Sequence, residues 1–249
     1  MKIVQLSDIH FGVEDPGALA LARTVIETTE PDALIICGDL TQRGKRSEFA
    51  AAREWIDGFN LPTLVVPGNH DTPLLNMVER VTSPFDRFEE TFADMLGPLD
   101  VGRWLFKGLN TARGWQARSN WAEGVVDLDR LTHIASGDAY TAIVCHHPFM
   151  SPPGTPLKTK TKRGDAADKL MQRAPASLVL SGHVHAPTVE ERGGNGGRYL
   201  AITAGTLSTR LRQSPPSCNL IEHREGRLTI DAVSVSGAMK ERRLGAFSI

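Results

Sequence analysis

Five short apolar runs recur along the chain: KIVQL (2–6), ALIIC (33–37), LPTLVV (61–66), TAIVC (141–145) and SLVL (177–180). Each has the length of a strand and little polar interruption, the pattern of strands buried on both faces. Helical spacing separates the first three, in GALALARTVIETT (17–29) and SEFAAAREWIDGF (47–59). Strands alternating with helices predict an α/β fold in which a largely parallel sheet carries helices on its faces.

The remaining segments extend this plan. Residues 72–100 read as helical and irregular, FDRFEETFADML (85–96) being the clearest helix. WLFKGL (104–109) and EGVV (123–126) read as strands, DLDRLTHIAS (127–136) and DAADKLMQRA (165–174) as helices. VEERGGNGGRYLAIT (189–203) reads as a hairpin turning at GGNGG (193–197), and NLIEHREGRLTIDAV (219–233) as a second hairpin. No repeat or low-complexity linker divides the 249 residues, so a single domain over 1–249 is expected. A net charge of −1 exerts no global pull on nucleic acid or anionic membrane. The cysteines, Cys37, Cys145 and Cys218, are odd in number and form no C-x-x-C, which disfavours a disulfide framework or a thiolate zinc site. MKIVQLSD is too short and strand-like for a signal peptide, and no apolar stretch approaches the roughly 20 residues of a membrane span. A soluble cytoplasmic protein is expected.

The chemistry lies where the apolar runs stop. KIVQL leads into Ser7-Asp8-Ile9-His10 and ALIIC into Gly38-Asp39. LPTLVV leads into Gly68-Asn69-His70-Asp71, TAIVC into His146-His147-Pro148, and SLVL into Gly182-His183-Val184-His185. The carboxyl ends of strands in an open α/β sheet converge on the ligand crevice. Such a sheet gathers Asp8, His10, Asp39, Asn69, His70, His146, His183 and His185. If the backbone stays extended through Asp8-Ile9-His10, residues i and i+2 point the same way and chelate one ion together. Each short motif alone is commonplace. Five of the eight histidines, His10, His70, His146, His183 and His185, nevertheless belong to this gathered set, which random placement would not favour. Imidazole, carboxylate and amide donors without thiolate suit Mn²⁺, Fe, Zn²⁺, Co²⁺ or Ni²⁺. Their number exceeds the needs of one ion and fits two sharing a carboxylate, a recurring device of phosphoryl chemistry.

In this order, D-x-H, G-D, G-N-H-D, a strand-end His and G-H-x-H resemble the calcineurin-like metallophosphoesterase superfamily, over residues 8–185. The resemblance implies a four-layer α/β/β/α sandwich with two mixed β-sheets and a dinuclear metal site at the strand carboxyl edge. It implies that Asp8, His10 and His185 hold one ion, Asn69, His146 and His183 the other, and that Asp39 bridges them. A metal-bridging hydroxide then attacks phosphorus, with His70 as the catalytic residue stabilising the transition state or protonating the leaving oxygen. Relatives often show H-x-P, which selects His146 and leaves His147 for a supporting or substrate-binding role. GDLTQRG has the spacing of the G-D-x-x-D-R-G block of the protein Ser/Thr phosphatase branch, but Gln42 replaces its second Asp. The backbone or Asp71 must then orient His70. Arg43 keeps the arginine of that block and is a candidate for substrate phosphate, with an exposed loop arginine the plainer reading.

Other features carry less. Cys145 lacks the arginine of H-C-x₅-R and reads as buried, as does Cys37. No phosphate-binding loop of the G-x-x-x-x-G-K-[ST] type occurs. His133, His223 and the tryptophans Trp104, Trp115 and Trp121 read as packing or surface residues. Lys158, Lys160, Lys162 and Arg163 form a basic run, read as solvated or as steering substrate from a mobile lid. GDLT, VPGNHD, HHP and GHVH together look most like small bacterial cyclic-nucleotide and glycerophosphodiester phosphodiesterases. A small phosphodiester is therefore the expected substrate, without membrane or nucleic acid as partner and with a homo-oligomer permitted. A phosphomonoesterase or nucleotide or lipid-precursor pyrophosphatase is the second reading. A non-catalytic protein-binding scaffold is the third, disfavoured because every ligand and His70 are present.

Overall fold

The computed structural model of the protein describes residues 1–117, 120–194, 197–236 and 238–249. The first sheet begins with β1 (Lys2–Leu6), β2 (Ala33–Ile36) and β3 (Thr63–Val65), side by side and parallel. Helices α1 (Pro16–Thr29) and α2 (Arg46–Asp57) connect them, and α3 (Met77–Thr82) and α4 (Asp86–Phe92) follow β3. Asp15 starts α1 by accepting the N–H groups of Gly17 and Ala18, with Pro16 in the first turn, where its missing N–H costs nothing. On the other side of β1 lie β10 (Ser217–Arg224), β11 (Arg227–Ser236) and β12 (Ala238–Ser248), all antiparallel.

The second sheet has the order β4 (Leu99–Val101), β5 (Trp104–Gly108), β6 (Thr141–Val144), β7 (Leu178–Ser181), β9 (Gly197–Thr203) and β8 (Thr188–Gly194). Its four inner strands are parallel and its edge strands antiparallel, so both sheets are mixed.

Period-two alternation sorts the apolar side chains into three cores. Ile3, Ile35 and Leu64 point inward and meet Phe106, Val144 and Leu180 of the facing sheet. Val4, Leu34 and Ile36 point outward beneath Ala22, Phe49 and Ile56 of the first two helices. On the far side, Ile143 and Val179 lie beneath Leu131 of α5 (Leu128–Ile134) and Met171 of α6 (Gly164–Met171). The result is the α/β/β/α stack. Sandwiching both faces of each sheet explains why the runs read as continuously apolar.

Three expectations need correction or lie out of reach. EGVV is not a strand: only Val125 pairs, through one bridge to Lys162, while Val126 is pinned by the Lys162 carbonyl. β4 and β12 were not legible. β12 reads AMKERRLGAFS, a charged edge strand without clean alternation, bulged at Leu244 where the register with β11 shifts. For GGNGG, the described residues Gly194 and Gly197 pair at the strand ends, and residues 195–196 lie outside the described residues. Among the described residues no helix is long and apolar enough to cross a membrane.

Phe106 is fully buried between the sheets. Phe106→Ala is expected to lower the unfolding free energy by about 3–5 kcal/mol, read from urea denaturation followed by circular dichroism.

Candidate metal centre

The parallel strands deliver their carboxyl ends to one rim, and the loops leaving them are stitched together there. Asp8 N–H donates to Gly38 O at 3.0 Å, His10 N–H to Asp39 O at 3.0 Å, and Gly182 N–H to His146 O at 2.9 Å. Asp8 Oδ2 accepts the hydroxyl of Ser7 at 2.6 Å and the N–H of His183 at 2.8 Å, joining a residue after β1 to one after β7. A Cβ on Gly182 would lie 1.7 Å from Ser7 Oγ, and one on Gly68 2.1 Å from Asp39 Oδ1, so both carboxylates sit against bare backbone.

The backbone at these ends is left-handed rather than extended. Asp8 has φ 54°, His10 53°, Asp39 53°, His183 68° and His185 55°. The expected i, i+2 extended chelate is therefore not how Asp8 and His10 come together. A left-handed residue costs about 1–2 kcal/mol for any side chain beyond glycine, and such residues persist only where surrounding contacts enforce them. Here the main-chain ties between loops supply that enforcement.

The hydrogen bonds fix where lone pairs point. His10 Nδ1–H donates to Thr41 O at 3.3 Å, His146 Nδ1–H to Cys37 O at 2.8 Å and His185 Nδ1–H to Arg210 O at 2.6 Å. A carbonyl only accepts, so each Nδ1 carries a proton and each neutral ring offers Nε2 as a lone pair. These Nε2 atoms crowd other acceptors. His185 Nε2 is 3.0 Å from Asp8 Oδ1 and 3.5 Å from His10 Nε2. His146 Nε2 is 3.3 Å and His10 Nε2 3.7 Å from Asp39 Oδ2. Asp8 Oδ1, Asn69 Oδ1 and His146 Nε2 are buried without a hydrogen-bond partner. Acceptors facing acceptors need a shared proton or a cation between them, and the donor set fits a divalent metal. Asp8, His10 and His185 form one candidate group, and Asp8, Asp39 and His146 an adjoining one. The cysteines stay outside it: burial pushes Cys37 up to about 12 and Cys145 well above its usual range, so neither is a thiolate.

Burial raises the carboxyl groups of Asp8 and Asp39, but the imidazoles outweigh it, His185 and His10 at Asp8 and His146 and His70 at Asp39. Both are held well below the usual carboxylate range. Burial depresses His146, yet Asp39 overrides it and lifts the ring to about 9. Burial and the neighbouring His146 push His183 down to about 3. Without metal, then, a proton on His146 is the charge that the carboxylates hold.

The structure brings Asp8, His10, Asp39, Asn69, His70, His146, His183 and His185 to this rim. Both nitrogens of His147 are occupied, by Ala122 O at 2.9 Å and Thr111 Oγ1 at 3.0 Å. The ring nitrogens of His146, His147 and His183 lie close enough to form a further candidate group, but both His147 nitrogens already have partners, whereas His146 Nε2 has none. His70 Nδ1–H donates to Gln42 O at 2.8 Å, so the main chain of Gln42 orients this ring. Asp71 instead ties loops together, accepting the N–H groups of Thr41 at 2.8 Å and Gly68 at 2.9 Å. Burial and Asp39 lift its carboxyl to about 6. Arg43 is exposed and lines a separate basic cavity with Lys45, Arg46 and Arg87. Lys158, Lys160, Lys162 and Arg163 are exposed. His223 and Trp104 belong to the core, the indole N–H donating to His223 Nδ1 at 3.2 Å. The sequence reading missed Arg210, whose Nη1 donates to His70 Nε2 at 2.9 Å. Its faint signal is the R-L-R spacing of residues 210–212 in a polar loop.

The family profile described as Calcineurin-like phosphoesterase matches residues 1–187. The chain is 25% identical, over 78% of its length and 76% of the relative, to a Synechococcus protein named probable cyclic nucleotide phosphodiesterase. It is also 25% identical, over 78% of its length and 72% of the relative, to the glycerophosphodiester phosphodiesterase GpdQ of Enterobacter lignolyticus. Its fold is shared by yellow lupin purple acid phosphatase PPD1, with TM-score 0.66 and 13% identity, over 100% of this chain and 53% of that one. GAP50, described as the anchor in the inner membrane complex of Plasmodium, aligns with TM-score 0.63 and 13% identity, over 98% of this chain and 89% of that one.

A pH test follows from His146. Its folded value, about 9, lies above the ordinary 6.5. The protonated ring therefore stabilises metal-free protein fully below pH 6.5, and this contribution is lost as pH rises through about 9. In chelator, the unfolding free energy is expected to fall by up to about 3 kcal/mol over that window. Saturating Mn²⁺ should flatten the decline in Tm, because metal replaces the proton. Parallel pH profiles with and without metal would contradict the assignment.

Proposed function

The chain belongs to the calcineurin-like phosphoesterase family, and from that premise we propose that it is a dinuclear metal-dependent hydrolase of a small phosphodiester. Asp8, His10 and His185 would hold one ion, Asn69, His146 and His183 the second, with Asp39 between them. The observation that carries this reading is the set of buried, unpartnered acceptors, Asp8 Oδ1, Asn69 Oδ1 and His146 Nε2, at one rim. A pair of divalent ions there would supply a water acidified toward a pKa of about 7 and charge to neutralise the developing phosphorane.

The protein's own groups do the rest. Thr41, Cys37 and Arg210 carbonyls lock the ring nitrogens so that Nε2 faces inward. Asp39 divides its labour: Oδ1 accepts the His70 N–H at 2.8 Å, while Oδ2 faces the His10 and His146 rings. His70 is held through Nδ1 by Gln42 and turns Nε2 toward Arg210; once doubly protonated, it would stabilise the transition state or protonate the departing oxygen at that nitrogen. Diester preference is supported by relatives named as cyclic nucleotide and glycerophosphodiester phosphodiesterases.

With Mn²⁺ supplied, the protein is expected to hydrolyse bis-p-nitrophenyl phosphate, and chelation to abolish turnover. His70→Ala should lower kcat by about 10²–10⁴-fold while metal content by elemental analysis is unchanged. Absence of turnover on diester, monoester and pyrophosphate with Mn²⁺, Fe²⁺, Zn²⁺, Co²⁺ and Ni²⁺ would refute the proposal.

A further inference from the structure

The loop between β9 and β10, residues 204–216, supplies none of the proposed metal ligands, yet it is built tightly against them. Thr206 Oγ1–H donates to Asp8 O at 2.6 Å, and the Thr209 N–H and hydroxyl both reach Val13 O, at 3.1 and 3.0 Å. Leu207 O accepts the N–H of Asp15 at 3.0 Å, and Arg210 N–H donates to Ser208 Oγ at 3.3 Å. The loop therefore holds Arg210 in a fixed place. Its carbonyl orients His185, and its guanidinium reaches across the rim, 2.9 Å from His70 Nε2 and 3.3 Å from Gln42 Oε1.

Both of those acceptors are neutral. Among the described residues, no carboxylate forms an ion pair with the guanidinium of Arg210. A guanidinium carries five N–H donors in a planar fork that matches phosphate oxygens, and it is best satisfied by an anion. Such a group, touching His70 and without a carboxylate partner among the described residues, lacks a ligand of the charge that a phosphoester carries.

We propose that Arg210 contacts the phosphoryl oxygens of the substrate beside His70, forming an anion clamp contributed by the β9–β10 loop. This rests on the hydrolase reading above and extends it to substrate recognition. Arg210 is a binding residue for the phosphoryl group, with its main-chain carbonyl positioning His185 independently of the side chain.

The test uses metal-loaded protein and inorganic phosphate as the probe, with titration calorimetry for Kd and bis-p-nitrophenyl phosphate kinetics for KM and kcat. Arg210→Ala is expected to weaken phosphate binding by about tenfold to a hundredfold and to raise KM in step, with a smaller fall in kcat. Arg210→Lys should recover only part of the affinity, lacking the fork. Arg130→Ala, an exposed site on α5, controls for net charge and should change neither. Metal content and Tm are measured for every variant, with Arg210→Gln as the second neutral replacement. Unchanged phosphate Kd in metal-replete Arg210→Ala overturns the clamp. So does loss of metal in both Arg210→Ala and Arg210→Gln, which would make the side chain a structural support. Wild-type protein that binds phosphate through Arg210 but turns over no ester would refute the hydrolase reading and leave the clamp standing.

Discussion

The carboxylate of Asp8 is the point on which the site turns. One oxygen is saturated by the Ser7 hydroxyl and the His183 N–H. That arrangement fixes the loop after β1 against the loop after β7, which belongs to the other sheet. The second oxygen is thereby prevented from turning away and is left against the His185 ring. A buried carboxylate in this position is tolerable only because imidazoles surround it, and those imidazoles are aimed by backbone carbonyls on still other loops. Scaffold and chemistry meet in this one group.

The same dependence explains what the sequence displayed and what it withheld. β1, β2, β3, β6 and β7 were legible because strands buried on both faces cannot tolerate polar interruption. β12 was not, because an exposed edge strand carries charge to discourage pairing and so loses the alternation that marks a strand. The donor residues stood out by type at the run ends. Their left-handed backbone did not, since a positive φ at Asp8 or His183 is imposed by hydrogen bonds from residues distant in the chain. Arg210 was missed because nothing in a loop arginine distinguishes one that faces His70 from one that faces water. The substitution of Gln42 for an acidic residue raised a question about His70 whose answer, a main-chain carbonyl, is independent of side-chain identity.

Fold likeness alone decides little here. The architecture is shared with a purple acid phosphatase and with a protein described as a membrane-complex anchor, both at 13% identity. What argues for chemistry in this chain is local: lone pairs buried against lone pairs, and an Arg210 guanidinium without a carboxylate partner among the described residues. Under the proposed reading, both arrangements would be relieved by the components of one reaction, cations and a phosphoester.

The proposed donors run from residue 8 to residue 185 and come from both sheets. A growing polypeptide therefore holds no such binding place until β7 has docked and the two sheets have closed on each other. Cation capture comes after closure in the order of assembly, and by mass action it deepens only the fully closed state. For this architecture, ion uptake measured in time would serve as a clock for the last step of folding.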